Sequence, residues 1–158
     1  INSVGVTGMQ LYTFGQVVSI PFFTEKWRPY SFIERIAINF EQNLHTLVLL
    51  DIKVKEISDE NLIKGKIIYE KPSFMSINIA IEQIIEAELH TKTNKFEDIK
   101  KIKAIGVARI GSEDQIIKAG CLEDIFKFDF GKPLHSLIIC APKLHCIEDE
   151  MYEYYCKK

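Results

Sequence analysis

Four short stretches hold the residues best suited to chemistry. Leu47-Val48-Leu49-Leu50-Asp51 ends an apolar run in a carboxylate. Val107-Ala108-Arg109-Ile110-Gly111 sets a lone guanidinium in an apolar segment. Pro133-Leu134-His135-Ser136 puts an imidazole just ahead of another apolar run, and Trp27-Arg28-Pro29 gathers the single tryptophan and a cation into one turn. In open α/β sheets, ligands bind outside the carboxyl ends of strands, which makes Leu50 and Asp51 pocket candidates. Asp51 equally suits a cap or an ion pair. An arginine in apolar surroundings needs a carboxylate partner, and Asp51 and Asp114 both qualify. His135 reads as a satisfied structural histidine or as a ligand contact. The Trp27 turn is either packed by its indole or is an active-site or interface loop.

Other chemistries lack their patterns. The glycine-rich phosphate loops, the nucleophile elbow and the zinc-protease helix motif are all missing, and Gly106 and Gly111 flank a strand signal instead of opening a helix. Cys121, Cys140, Cys146 and Cys156 form no C-x-x-C pair, and the spacing of Cys140 and Cys146 around His145 does not suit zinc. They read as free thiols of an intracellular protein. Lysine and arginine total 20 against 22 acidic residues, a net charge of −2, so the basic excess of a nonspecific nucleic-acid binder is missing. The charged stretch from His90 to Lys103 mixes signs and reads as a solvated loop or short helix. No apolar run approaches the roughly 18 residues of a membrane span. The chain opens Ile1-Asn2-Ser3, without methionine or leader, which suggests a piece of something longer.

These residues need elements to position them. With 158 residues, 47% hydrophobic and 27% charged, the chain suits about one globular domain. Strand signals cover Val17–Phe23, with Pro21 confining it to an edge or ending it. Thr46–Leu50 reads as a strand buried on both faces. Ala104–Gly111, Gln115–Ala119 and Ser136–Cys140 complete five, and the connection from Ile110 to Gln115 implies an antiparallel pair. Helix signals lie between them. Ser31-Phe32-Ile33-Glu34 is a capping box. Ser58 suits the start of a short helix through Leu62 and Ile63, stopped at Gly65. Ser76 opens a longer helix with Ile77, Ile81, Ile84, Ile85 and Leu89 on one face, and Glu148–Tyr155 suits a terminal helix. The alternation predicts an α/β fold with a mixed sheet of about five strands and flanking helices.

A set of longer strings is more specific. Gly8-Met9-Gln10-Leu11-Tyr12 with Phe14-Gly15, Trp27-Arg28-Pro29, His45-Thr46-Leu47, Leu50-Asp51-Ile52-Lys53-Val54-Lys55-Glu56, Glu60-Asn61-Leu62-Ile63-Lys64-Gly65, Met75-Ser76, Val107 to Gly111 and Pro133 to Ile139 together resemble the diphthine synthase family, in that family's order and spacing. That family is similar to the tetrapyrrole methylases. The resemblance implies two α/β domains with S-adenosylmethionine in the cleft between them, usually in a homodimer. It implies methylation of a modified histidine of translation elongation factor 2 in diphthamide biosynthesis, in the cytoplasm, without nucleic acid, membrane or metal.

The resemblance begins after the family's N-terminal domain. It therefore implies that residues 1–14 end the N-terminal cofactor-binding region and that 15–158 form the C-terminal α/β methyltransferase domain. By position, the family's cofactor contacts fall on Leu50, Ile110 and His135. Leu50 and Ile110 would offer backbone groups and apolar surface to the adenine, and His135 would hydrogen-bond the nucleoside. The cofactor carries its own activated methyl, so no nucleophilic triad is called for. Asn43 stands where the family often has glycine, a site where asparagine tolerates a left-handed backbone. Ala141-Pro142-Lys143 replaces a glycine-rich link, and Cys146 replaces a proline. The alternative from another class is a non-catalytic binding or dimerisation module on the same scaffold.

Overall fold

The computed structural model describes residues 7–53 and 73–157. Five strands, β1 (Val18–Ile20), β2 (Thr46–Leu50), β5 (Lys103–Ala108), β6 (Ile116–Cys121) and β7 (His135–Ile139), form one sheet in the order β1-β2-β7-β5-β6. β1 is parallel to β2, and every other neighbouring pair is antiparallel. β1, β2 and β5 therefore point the same way. Their carboxyl ends share an edge with the first residues of β7 and β6. A separate two-stranded ladder joins β3 (Ile52–Lys53) to β4 (Ser73–Phe74).

Period-two alternation divides the apolar residues between the two faces of the sheet. Val18, Ile20, Val48, Ala104, Ala108, Leu137 and Ile139 meet α1 (Ser31–Glu41), α2 (Ile77–Thr91) and α3 (Leu122–Lys127) on one side. Ile105, Val107, Ile117, Ala119 and Ile138 meet Met9 and α4 (Cys146–Lys157) on the other. On the first side Phe130 is fully buried. It lies against the backbone of Gly106, where a Cβ would come 2.3 Å from its ring.

The expected strands are present, with Ile20 ending β1 at the sheet edge just before Pro21. The Ile110-to-Gln115 connection is the β5–β6 hairpin. Ser76 caps α2, its Oγ accepting from the Ile79 N–H at 3.3 Å. Asn43 is left-handed, with φ of 59°. The terminal helix is present as the longer α4. The Ser58-to-Gly65 helix lies outside the described residues.

Several expectations are corrected. β2 is not buried on both faces, because Leu49 is 47% exposed; α4 packs on β6, at the far side of the sheet from β2. Ser31 is the first helical residue instead of a cap, and the N-cap Tyr30 makes no side-chain cap bond. Leu89 is 67% exposed, since the buried stripe of α2 runs through Ile84 and Ala87 and the helical period carries Leu89 off it. The charged stretch is, as expected, an exposed loop with a short helical turn, of 3-10 type and capped by Asp98, and buried Phe96, Ile99 and Ile102 anchor it.

Candidate functional site

Leu50, Ile110 and His135 come together at the edge where β1, β2 and β5 end. Leu50 is the last residue of β2 and pairs with Ile20 of β1. His135 opens β7 opposite Ala108 of β5, and Ile110 lies two residues beyond Ala108. Carrying the Val48–Leu137 register forward two residues sets Leu50 opposite His135. Two open grooves flank this edge. One, of about 540 Å³, lies between residues 19–21 and 49–52. The other, of about 430 Å³, is walled by the turn after β5 and the loop before β7.

The three residues share an edge but not a face. Leu50 packs with the α1–α2 side of the core, and Ile110 with the α4 side. The ring of His135 lies on the α2 side, near Phe130. Its Nδ1 accepts from the Ile77 N–H at 3.3 Å, in the first turn of α2. The ring proton is then on Nε2, which donates to the carbonyls of Lys132 (3.0 Å) and Gly131 (3.1 Å). Burial lowers the imidazole pKa below its ordinary 6.5, the two carbonyls oppose that shift, and the Arg109 charge adds to it. His135 is a neutral structural clamp in this arrangement.

Arg109 lies just past β5 instead of within it, in a left-handed conformation (φ 51°). Of the two carboxylates expected for it, Asp114 is the partner, with Oδ2 at 2.9 Å from Nε. Asp51 serves the backbone: Oδ1 accepts from the Ile52 N–H at 2.9 Å and Oδ2 from the Phe22 N–H at 3.4 Å. Among the described residues, Asp51 is the single charged one lining the groove beside Leu50.

No protein-family model matches the chain. Curated relatives do. The chain is 47% identical to the diphthine methyl ester synthase of Bos taurus and 46% identical to that of Homo sapiens, in each case over 98% of this chain and 55% of the relative. A crystal structure from Entamoeba histolytica, described as a diphthine synthase, superposes with a TM-score of 0.84 at 41% identity, covering 98% of this chain and 55% of that one. Along 98% of its length the chain is thus similar to diphthine methyl ester synthases. It spans about half the length of the curated relatives it matches.

Sequence reasoning missed one buried polar cluster. His45 and Glu148 are both buried, with Nε2 and Oε2 2.6 Å apart. His45 Nδ1 accepts from the Ala141 N–H at 2.9 Å, so the Nε2–H donates to Glu148. The same Oε2 accepts from the Gln10 N–H (2.9 Å) and the Thr13 hydroxyl (3.0 Å), and Oε1 accepts from the His145 N–H at 3.1 Å. Burial alone would raise the Glu148 pKa, but the bonds from Gln10, His45 and His145 outweigh it and hold the carboxyl below its ordinary 4.5. One signal was available. Glu148 stands three residues after His145, the spacing at which a glutamate reaches back to a helix start.

The reading of the Trp27 turn is also corrected. Trp27 is 58% exposed and does not pack the turn. Thr24 and the Arg28–Glu86 pair at 2.5 Å hold the turn instead. All four cysteines are free thiols. Among the described residues no group of three or more His, Cys, Asp or Glu is placed to hold a metal, and no helix is long and apolar enough to cross a membrane.

Proposed function

We propose that the chain is the C-terminal portion of an S-adenosylmethionine-dependent methyltransferase that methylates the modified histidine intermediate of translation elongation factor 2 in diphthamide biosynthesis. The observation that carries this reading is the identity near 47% to diphthine methyl ester synthases along 98% of the chain. On this reading residues 1–14 end the N-terminal cofactor-binding region, residues 15–158 are the second domain, and the enzyme works as a homodimer in the cytoplasm.

The cofactor would lie along the edge formed by Leu50, Ile110 and His135. The donor set fits such a ligand. Leu50 and Ile110 offer apolar surface for a flat base, and Asp51 supplies the sign of charge that suits a sulfonium. When bound, S-adenosylmethionine supplies an activated methyl group. The chain's own residues orient the nucleoside and help exclude water from the cleft. Because both ring nitrogens of His135 are used inside the chain, its part is to hold the edge in shape. That same observation favours a second reading, a non-catalytic binding or dimerisation module on this scaffold.

The test supplies the protein read from the complete reading frame containing this chain with methyl-labelled S-adenosylmethionine and elongation factor 2 carrying the unmethylated intermediate. Label transferred to the factor is expected. No transfer, with the protein folded, overturns the enzymatic reading in favour of the module.

A further inference from the structure

The groove beside Ile110 has walls made of two separate pieces of chain. One is the turn after β5, through Ile110 and Ser112. The other is the loop before β7, through Pro133 and Leu134. The Arg109 side chain joins them. Arg109 is only 12% exposed. Its Nε and Nη2 donate to the Asp114 carbonyl at 3.3 and 3.1 Å, within its own turn. Its Nη1 reaches across to the opposite wall, donating to the carbonyls of Phe130 (2.7 Å) and Lys132. Its backbone N–H adds a third link, to the Leu134 carbonyl at 2.9 Å.

The Lys132 carbonyl is shared. His135 Nε2 donates to it at 3.0 Å, and His135 Nδ1 holds the Ile77 N–H of α2. A chain of contacts therefore runs from Asp114 through Arg109, Lys132 and His135 to the start of α2. A salt bridge alone would need only Asp114, five residues away and 64% exposed. The bonds to Phe130 and Lys132 are with residues 21 and 23 positions distant. A guanidinium suits this task, since it presents five donors in a rigid fork. A lysine ammonium is a single point that cannot serve both walls in the same geometry.

We propose that Arg109 is a positioning residue of the candidate cofactor site, fixing the separation of the groove's two walls and so the placement of Ile110 before a bound nucleoside, with His135 holding the loop wall. This rests on reading that edge as the cofactor site, as above.

The test compares the protein read from the complete reading frame containing this chain with its Arg109→Lys and Arg109→Gln variants by nuclear magnetic resonance, with melting temperature measured in parallel. The first readout needs no ligand. The His135 ring nitrogens and the amides of residues 130–136 are expected to move in both variants, including Arg109→Lys, which keeps the charge. Unmoved His135 and loop signals in a folded variant overturn the proposal. The second readout is titration with S-adenosylhomocysteine, followed at Leu50, Ile110 and Ser136. Loss of bonds that leave buried partners unpaired is expected to weaken binding roughly 5- to 150-fold. Equal affinity in wild type and both variants also overturns it. If the wild type itself shows no perturbation at those residues, the reading of the edge as a cofactor site fails, and the His135 and loop signals alone decide the role of Arg109.

Discussion

A histidine whose two nitrogens are both engaged by backbone is expensive to remove. His135→Ala would leave the Ile77 N–H and the Gly131 carbonyl short of a partner and the Lys132 carbonyl with Arg109 alone, a loss of about 1–3 kcal/mol in stability by chemical denaturation. Its pH dependence has a definite sign. The folded pKa lies below the ordinary 6.5, so the unfolded chain binds the proton more readily. The contribution is complete above pH 6.5 and is lost as pH falls towards the folded value. The slope of stability against pH just below 6.5 should be shallower in His135→Ala than in wild type; an unchanged slope would place the ring elsewhere. Glu148 behaves alike in its own range. Its folded pKa is held under 4.5, so its stabilisation is full above that value and disappears as pH drops through the folded one. Glu148→Gln should flatten acid unfolding below pH 4.5 and cost roughly 1.5–3 kcal/mol at neutral pH, the range for hydrogen bonds to a charged group.

At the scale of elements, close packing of a ring on a strand gives the sharpest expectation. A Cβ at Gly106 would sit 2.3 Å from Phe130 and 3.1 Å from Ile77. Gly106→Ala should therefore destabilise by about 1–3 kcal/mol through overpacking, read as a drop in melting temperature. A neutral result would mean that Phe130 has room to retreat. The strands were readable because β-branched runs such as Ile116-Ile117 and Ile138-Ile139 carry their preference locally. Ser76 was readable because a cap acts within one turn. Whether a strand is covered depends on where distant helices land, so Leu49 and the exposed Trp27 could not be read from their neighbours. Ser31 failed by one position, which is enough to turn a cap into an interior residue. The candidate site divides the same way. Leu50 was visible as the carboxyl end of a strand, Ile110 and His135 entered through family resemblance, and the ring contacts of His135 depend on α2, which starts 58 residues earlier in the sequence.

For the molecule as a whole, the chain contains its own sheet and two apolar layers, so the 158 residues should fold alone, with a cooperative thermal transition as the check. They should not transfer methyl groups. A ligand held at micromolar strength, near −8 kcal/mol, that loses about half its contacts binds only at millimolar strength or weaker, and an open edge admits water where transfer needs its exclusion. Incubation with labelled S-adenosylmethionine and unmethylated elongation factor 2 should leave the factor unlabelled; turnover matching a complete enzyme would show that this half holds the whole active site. The Glu148 cluster also bears on how fast the fold forms and fails. Its bonds close spans of 138 residues to Gln10 and 103 to His45, whereas the β5–β6 hairpin closes over a short turn. Contacts across such spans carry the largest loop-closure cost, so they should assemble after the rate-limiting step. Glu148→Gln should then leave the refolding rate in stopped-flow traces nearly unchanged and accelerate unfolding by most of the lost free energy. That would make one carboxylate the main brake on the escape of the Gln10–Thr13 segment from the native state.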